Sequence, residues 1–269
     1  MGLASVDAMP WQPVDTDPID IDTGVAPARA RAIADALVRR AVPLLVNRDG
    51  RPEPLASAAL FHLGGRVLLM TCRHIFDDGV AIGDLGVPRV HAPGVRWLRG
   101  AAARVIAHPQ RDLALIELVA CRTRDALLQD WAAVPLAEGE LDGDLATAQS
   151  PRLYVLAGWP YAQMRRIDHT VYARPLVVFA PPAAEAGAPD ASLRMRYARV
   201  ARRCDGVHVH APELDGVSGA TLWAVLESAD GERCLLRPVA VQCAFKHGAY
   251  ARAEPLTAAA PLFDLMRRR

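Results

Sequence analysis

Apolar positions along this chain come in short bursts separated by turn residues. From Ala41 onward, runs such as Arg66-Val67-Leu68-Leu69-Met70-Thr71 alternate with turns such as Asn47-Arg48-Asp49-Gly50 and Leu63-Gly64-Gly65. Runs this short, bounded by Gly, Asn and Asp, predict strands and an all-β barrel architecture. Three segments break the pattern. Pro27 to Arg40 predicts a helix, with Ala28, Ala32, Ala36 and Leu37 on one face and arginines on the others. Arg124 to Trp131 predicts a short helix in the link between two halves of the chain. Leu256 to Met266 carries apolar residues at helical spacing and predicts a terminal helix. Met1 to Val25 reads as a loose lead-in, and Pro181 to Pro189, rich in Ala and Pro, as an exposed loop. No internal repeat is present.

Candidate chemistry starts at Asp215-Gly216-Val217-Ser218-Gly219-Ala220. Small residues on both sides of a serine allow a sharp turn, which can present a hydroxyl and backbone N–H groups to one substrate carbonyl. Nucleophilic acyl transfer needs that pairing, although Gly-x-Ser-Gly also occurs in ordinary turns. A serine nucleophile needs a base, and the chain has eight histidines. His62 lies in an apolar run and reads as a core or strand histidine. His208 and His210 alternate along one polar strand face, with no further ligands nearby in sequence to make a metal site. His74 follows an apolar strand that ends in Thr71 and precedes Asp77-Asp78-Gly79, so it is rigidly held yet able to face a cleft. Asp112 heads the apolar run Leu113-Ala114-Leu115-Ile116. A charge there needs a partner; an imidazole N–H would serve, and so would a turn that the aspartate caps.

Together these segments resemble the trypsin-like (chymotrypsin-fold) serine peptidases, bacterial type. Thr71-Cys72-Arg73-His74 is similar to the family's Thr-Ala-Ala-His around the general base. Asp112-Leu113-Ala114-Leu115 is similar to its Asp-Ile/Leu-Ala-Leu around the orienting acid, and Gly216-Val217-Ser218-Gly219 to its Gly-Asp/Asn-Ser-Gly around the nucleophile. The order His, Asp, Ser, with about 38 and then about 106 residues between them, is that of this fold and not of subtilisins or α/β-hydrolases. Leu153 to Pro160 resembles the strand that opens the second barrel, and Val239 to Ala244 the strand that follows the nucleophile. The resemblance spans residues 38 to 268. It implies two six-stranded antiparallel β-barrels with an N-terminal and a C-terminal helix: a lead-in and helix over 1–40, a first barrel over 41–140 with His74 and Asp112, and a second barrel with the terminal helix over 141–269 with Ser218.

The resemblance also implies roles. Ser218 attacks, His74 moves the proton, Asp112 orients His74, and the N–H groups of Gly216 and Ser218 form the oxyanion hole. Gln242, Cys243 and Ala244, with Glu213 on the opposite wall, would contact substrate. Glu213 and Asp215 read first as solvated loop acids, with a pocket for a basic side chain as the alternative. The chain departs from the family pattern at Val217, where an acid is usual. A valine cannot make the ion pair with a new N-terminus that switches on secreted trypsins. Ala220, the Leu55-Ala56-Ser57-Ala58-Ala59 stretch in place of Gly-Ser-Gly, and a Val239 strand without its usual glycine also differ. These departures keep a second class in view: a protease-like module that binds a peptide without cutting it.

Composition narrows the rest. A chain of 269 residues is ample for two barrels. A net charge of +1 gives no reason to expect nucleic acid or an acidic membrane surface. Lys246 is the only lysine among 31 basic residues, a bias that fits a GC-rich coding sequence. The five cysteines are odd in number, lack a CxxC spacing and suggest no disulfide, so reduced thiols are expected. Cys72 reads as a small buried hydrophobe, not a nucleophile. Met1 to Asp22 has neither the basic start nor the apolar core of a signal peptide. A cytoplasmic enzyme is expected, with no cofactor and no metal, a protein or peptide as substrate, and room for an activating partner protein.

Overall fold

The computed structural model describes residues 10–77, 79–99, 103–136, 151–167, 170–183, 192–227 and 234–267. Strand β1 (Trp11–Pro13) and strand β2 (Ile19–Asp20) precede helix α1 (Pro27–Val38). The first large sheet then forms from β3 (Ala41–Arg48), β4 (Arg51–Leu63), β5 (Arg66–Thr71), β6 (Leu85–Pro88), β7 (Val95–Trp97), β8 (Ala103–Ala107) and β9 (Ala114–Leu118). Its spatial order is β7-β6-β3-β4-β5-β9-β8, with every neighbouring pair antiparallel. Helix α2 (Cys121–Asp130) leads to β10 (Val134–Pro135), which adds in parallel to β4 at Phe61 and His62.

The rest of the chain builds β11 (Tyr154–Gly158), β12 (Met164–Ile167), β13 (Thr170–Ala173), β14 (Leu176–Ala180), β15 (Leu193–Arg196), β16 (Val200–Arg203), β17 (His208–His210), β18 (Thr221–Glu227), β19 (Cys234–Lys246) and β20 (Tyr250–Pro255). The second large sheet runs β15-β20-β19-β18-β11-β14-β2-β16-β17, and β1, β13 and β12 make a small third sheet. A 3-10 turn at Leu256–Ala259 and helix α3 (Ala260–Arg267) end the described chain.

The molecule is therefore predominantly β, with two curled half-barrel sheets that fit a chymotrypsin-like fold and three helices among the described residues. The hydrogen-bonded paths hold seven strands plus β10 in one sheet and nine in the other, and neither closes into six strands among the described residues. No helix among these residues is long and apolar enough to cross a membrane.

Local chemistry accounts for the hairpins. Asp49 (φ 52°) and Gly50 (φ 80°) join β3 to β4, and Gly64 (φ 54°) and Gly65 (φ 76°) join β4 to β5. Two consecutive left-handed residues make the tight turn whose twist matches the flanking strands, and Asp-Gly and Gly-Gly carry it with little strain. Helix α1 starts on Pro27, where the missing N–H costs nothing. It buries Ala30, Ile33, Ala34 and Leu37, whereas Ala28 and Ala32 face solvent. The expected face was rotated because alanine fits either environment, while Ile33 and Leu37 gain most by burial.

The described part of the lead-in, from residue 10 onward, is not loose. Strand β2 inserts between β14 and β16. The buried Asp20 carboxylate accepts N–H groups from Thr23 (3.0 Å) and Gly24 (3.0 Å) and faces Arg202. Helix α3 contacts β8 of the first sheet, and the 3-10 turn before it packs on β19 and β20, so the terminal segment straps the two sheets together. The expected loop at 181–189 falls largely outside the described residues, whereas the short helix expected over 124–131 is α2, which begins three residues earlier.

One apolar core lies within the first sheet and extends under α1, α2 and α3 onto β11, β14, β18 and β19; a smaller one fills the second sheet. Trp159 belongs to the larger core, just past the end of β11. Its side chain is fully buried, its Nε1–H donates to Ala41 O (2.8 Å), and its ring meets Trp11 and Trp131 edge-on at 5.5 and 6.1 Å. Trp159→Ala is expected to cost about 3–5 kcal/mol, because it leaves a cavity between the Trp11 and Trp131 indoles and removes the indole donor to the Ala41 carbonyl. Urea unfolding of the two proteins measures this; a loss under about 1 kcal/mol would contradict the placement.

Candidate active site

His74 and Asp112 meet directly. Strand β5 ends at Thr71, and a 3-10 turn at His74–Phe76 follows it. The His74 Nδ1 lies 2.7 Å from Asp112 Oδ2, and the His74 backbone N–H donates to Asp112 Oδ1 at 2.9 Å. Burial alone would raise the Asp112 pKa, but hydrogen bonds from the His74 ring and backbone, the His74 charge and the Arg73 N–H bring it below the ordinary value of 3.8. An ionised carboxylate only accepts. The ring proton therefore sits on Nδ1, and Nε2 is the basic nitrogen. Asp112 is mostly covered, whereas the His74 side chain retains 42% of its exposure and reaches solvent from the cleft side.

The loop before Asp112 is built to hold it. His108 Nδ1 accepts N–H bonds from Gln110 (3.1 Å) and Arg111 (2.9 Å), and the His108 N–H reaches Leu113 O (2.9 Å). Burial, then the charges of Arg111 and Arg73, lowers the His108 pKa, which keeps the ring neutral and accepting. Arg73 Nη1 donates to the carbonyls of His108 and Pro109, both at 3.2 Å. Arg111 extends to Glu254 on β20 at 3.5 Å. His108 escaped sequence reasoning; its only signal was the step from His-Pro-Gln-Arg to Asp112.

Ser218 sits in a turn over residues 215–219 that faces the same seam. Its carbonyl accepts Ser57 N–H at 2.8 Å, which pins the turn to β4 of the first sheet. One carbonyl then gathers both segments: Gln242 O accepts Gly219 N–H (2.7 Å) and the Cys72 thiol (3.0 Å). Gly219 follows Ser218, and Cys72 lies two residues before His74. Thr71 Oγ1 donates to Ser57 O at 2.9 Å from the same corner. The structure thus brings Asp112 onto the His74 ring by side chain and brings Ser218 beside them by backbone. A hydrogen bond from the Ser218 hydroxyl to the imidazole is not among the described contacts; such bonds commonly tighten only when substrate is bound.

The expected oxyanion donors have the required freedom. Val217, Gly219 and Ala220 spend their N–H groups on Leu214, Gln242 and Val217 carbonyls. Among the described residues, the N–H groups of Gly216 and Ser218 meet no backbone carbonyl. All peptides there are trans, so each N–H points opposite the carbonyl of its own peptide. Those carbonyls are held: Asp215 O by Tyr161 N–H (2.8 Å), and Val217 O by Ala220 N–H (2.9 Å). Gly216 (φ 88°) needs its missing side chain, because a Cβ there would lie 2.3 Å from the Tyr161 ring.

The expected substrate contacts divide. Gln242 is fully buried, and its backbone N–H donates to Ala220 O at 2.8 Å. Its main chain is therefore spent on the serine turn. Its side-chain amide donates to Ala244 O at 3.0 Å. A bulge between Gln242 and Ala244 leaves Cys243 out of the ladder, buried, with its thiol pushed up to about 12 by burial. Beyond Gln242, β19 pairs with β20 on one side only, so its other edge runs past the serine turn with no strand partner among the described residues. Ala244 on that edge is half-buried; Glu213 and Asp215 are exposed, as solvated loop acids would be.

Cys72, His74 and Asp112 present ligand-type atoms within 4.8 Å of one another, the one such group of three among the described residues. Burial and the Asp112 charge raise the Cys72 pKa well above its ordinary 9.0. A metal ligand or a nucleophile must be a thiolate, and this thiol is protonated and donating. His208 and His210 lie exposed on the edge strand β17, and His62 is exposed on β4.

No protein-family model matches the chain, and no curated protein matches it.

The Asp112 pKa gives a signed prediction. Its lowered value means a stability contribution that is full above pH 3.8 and is lost as pH falls through the depressed folded value. Asp112→Asn should therefore flatten the drop in stability between about pH 5 and pH 2. Urea midpoints measured across that range decide it; parallel curves for the two proteins would mean that Asp112 is not held ionised by His74.

Proposed function

We propose that this chain is a serine endopeptidase of the trypsin-like type, with its two half-barrel sheets arranged around one catalytic cleft. The observation that carries this reading is the Asp112–His74 pair standing at the seam to which the Ser218 turn is also pinned. Holding an ionised carboxylate in a half-buried corner costs desolvation, but a carboxylate on Nδ1 is what a base serving a hydroxyl requires.

The chemistry runs as follows in this reading. An extended peptide lies along the open edge of β19 beyond Gln242, adding as a strand. Ser218 Oγ attacks the scissile carbonyl as His74 Nε2 takes its proton. Asp112 keeps the Nδ1 proton in place and stabilises the imidazolium. The carbonyl oxygen becomes an oxyanion between the Gly216 and Ser218 N–H groups. Collapse expels the amine, which takes the proton from Nε2, and leaves an ester on Ser218. Water, deprotonated by the same nitrogen, then releases the acid. No metal or cofactor enters any step. The reading of a module that binds without cutting keeps the β19 edge but gives no role to the Asp112–His74 pair.

A fluorophosphonate probe should label the purified protein once per chain. Ser218→Ala should abolish labelling and lower turnover on the order of 10⁶-fold, while Asp112→Asn should lower it about 10⁴-fold through the wrong tautomer. A folded wild-type protein that stays unlabelled would sink the peptidase reading in favour of the binding module.

A further inference from the structure

Val217 raises a question that the site itself answers. Where an acid at this position makes an ion pair, that pair fixes the loop carrying the oxyanion donors. Val217 is fully buried in the second-sheet core and holds nothing electrostatically. The loop must be fixed by something else.

Ser57 occupies the required place. It lies on β4, paired with Pro43 of β3, and is fully buried. Its hydroxyl donates to Gly216 O at 2.9 Å and accepts Trp159 N–H at 3.0 Å. Its own N–H holds Ser218 O at 2.8 Å, and its carbonyl accepts the Thr71 hydroxyl. One residue of the first sheet therefore grips the Gly216–Val217 and Ser218–Gly219 peptides, which flank the Val217–Ser218 peptide, together with the end of β11. From β11 the chain continues to Tyr161, whose N–H holds Asp215 O. Tyr161 also packs its ring against Gly216 and sends its hydroxyl to Leu55 O, two residues before Ser57.

Each grip has a consequence for an oxyanion donor. While Tyr161 holds Asp215 O, the Gly216 N–H is turned the opposite way. While Ser57 holds Gly216 O and Ser218 O, the Gly216–Val217 and Ser218–Gly219 peptides cannot rotate, and the Ser218 N–H is carried on the peptide between them, whose Val217 carbonyl is held by Ala220 N–H. A flip of either would leave a buried hydroxyl, N–H or carbonyl unpaired, which buried polar groups avoid. The space around the hydroxyl is equally constrained: a Cβ on Gly158 would lie 3.3 Å from Ser57 Oγ and 2.7 Å from a Val217 methyl.

We infer that Ser57 is a positioning residue that sets the oxyanion donors Gly216 and Ser218 in the finished fold, in place of an activation-dependent ion pair. The inference rests on the peptidase reading and adds its regulation: the site is competent as folded, with no cleavage needed to align it. Ser57 touches no substrate; it acts through the Gly216 carbonyl and Trp159.

The test compares wild type, Ser57→Ala and the near-isosteric Ser57→Cys, whose thiol is a poorer donor. Fluorophosphonate labelling rates, binding of a small arylboronic acid as an oxyanion mimic, and thermal melts are measured on each. Loss of one oxyanion donor typically costs 10²–10³-fold, so loosening two without deleting them should slow labelling about 10–100-fold. Boronate binding should weaken in parallel. Ser57→Cys should fall between the other two and melt within a few degrees of wild type, which separates misalignment from unfolding. The pH dependence of labelling, set by His74, should not move. Labelling of folded Ser57→Ala or Ser57→Cys at the wild-type rate overturns the inference and leaves the peptidase reading intact. A folded wild type that does not label removes the peptidase reading first. Labelling of wild type only after proteolytic trimming overturns the inference by itself.

Discussion

At Gly219 the two sheets approach too closely for any side chain. A Cβ there would lie 2.0 Å from the Ser57 carbonyl oxygen and 2.3 Å from the Thr71 hydroxyl, and the residue has φ 93°. That contact lets Ser57 N–H reach Ser218 O, and lets the Cys72 thiol and the Gly219 N–H share the Gln242 carbonyl. Were the sheets an ångström or so further apart, each of those bonds would pass out of range. His74 and Asp112 belong wholly to the first sheet, and Ser218 to the second. Their proximity is a property of this one close contact and of the buried polar groups that it leaves no alternative but to satisfy.

The polar groups at the seam serve as locators more than as sources of stability. A net hydrogen bond contributes about 1 kcal/mol, while an orphaned buried donor or acceptor costs about 1–3 kcal/mol. Ser57 alone accounts for two side-chain bonds and two main-chain contacts. The gain from making them is modest and the loss from a shifted register is large. Apolar packing around Trp159 brings the sheets together; the hydrogen bonds decide where they stop.

Much of this was legible in the sequence. The Asp49-Gly50 and Gly64-Gly65 hairpins and the strand ending at Thr71 follow from residue types and order, because turn chemistry is a local demand; the residues leave the partner of Asp112 open, and only the resemblance implies His74. What escaped was set by distant neighbours. Ser57 stands out only as part of a stretch that replaces Gly-Ser-Gly, with nothing in the sequence to give its hydroxyl a role. Tyr161 reads as an incidental aromatic, and His108 as one histidine of eight. Each acquires its role only from what packs on it. The face of helix α1 was misread for the same reason, since alanines at Ala28 and Ala32 report amphipathicity only weakly. Of the two six-stranded barrels expected from the resemblance, two curled half-barrel sheets stand among the described residues, with hydrogen-bonded paths of seven and nine strands; β2 and the β16–β17 hairpin extend the second.

Strand β2 has a further consequence. Among the described residues, two, Ile19 and Asp20, are the sole bridge joining the β16–β17 hairpin to β14. They are synthesised far ahead of both strands that they separate. The second sheet therefore cannot be completed by neighbours in the order of translation; it waits for an early segment to return across most of the chain. Bringing distant segments together is entropically costly before any contact rewards it. The pairings of the first sheet reach no further than Phe61 with Val134, 73 residues apart, against 182 for Asp20 with Arg202. The half of the molecule that carries the base is thus free to form early, while the half that carries the serine turn must assemble last. An incomplete chain would then hold a base with no hydroxyl to activate.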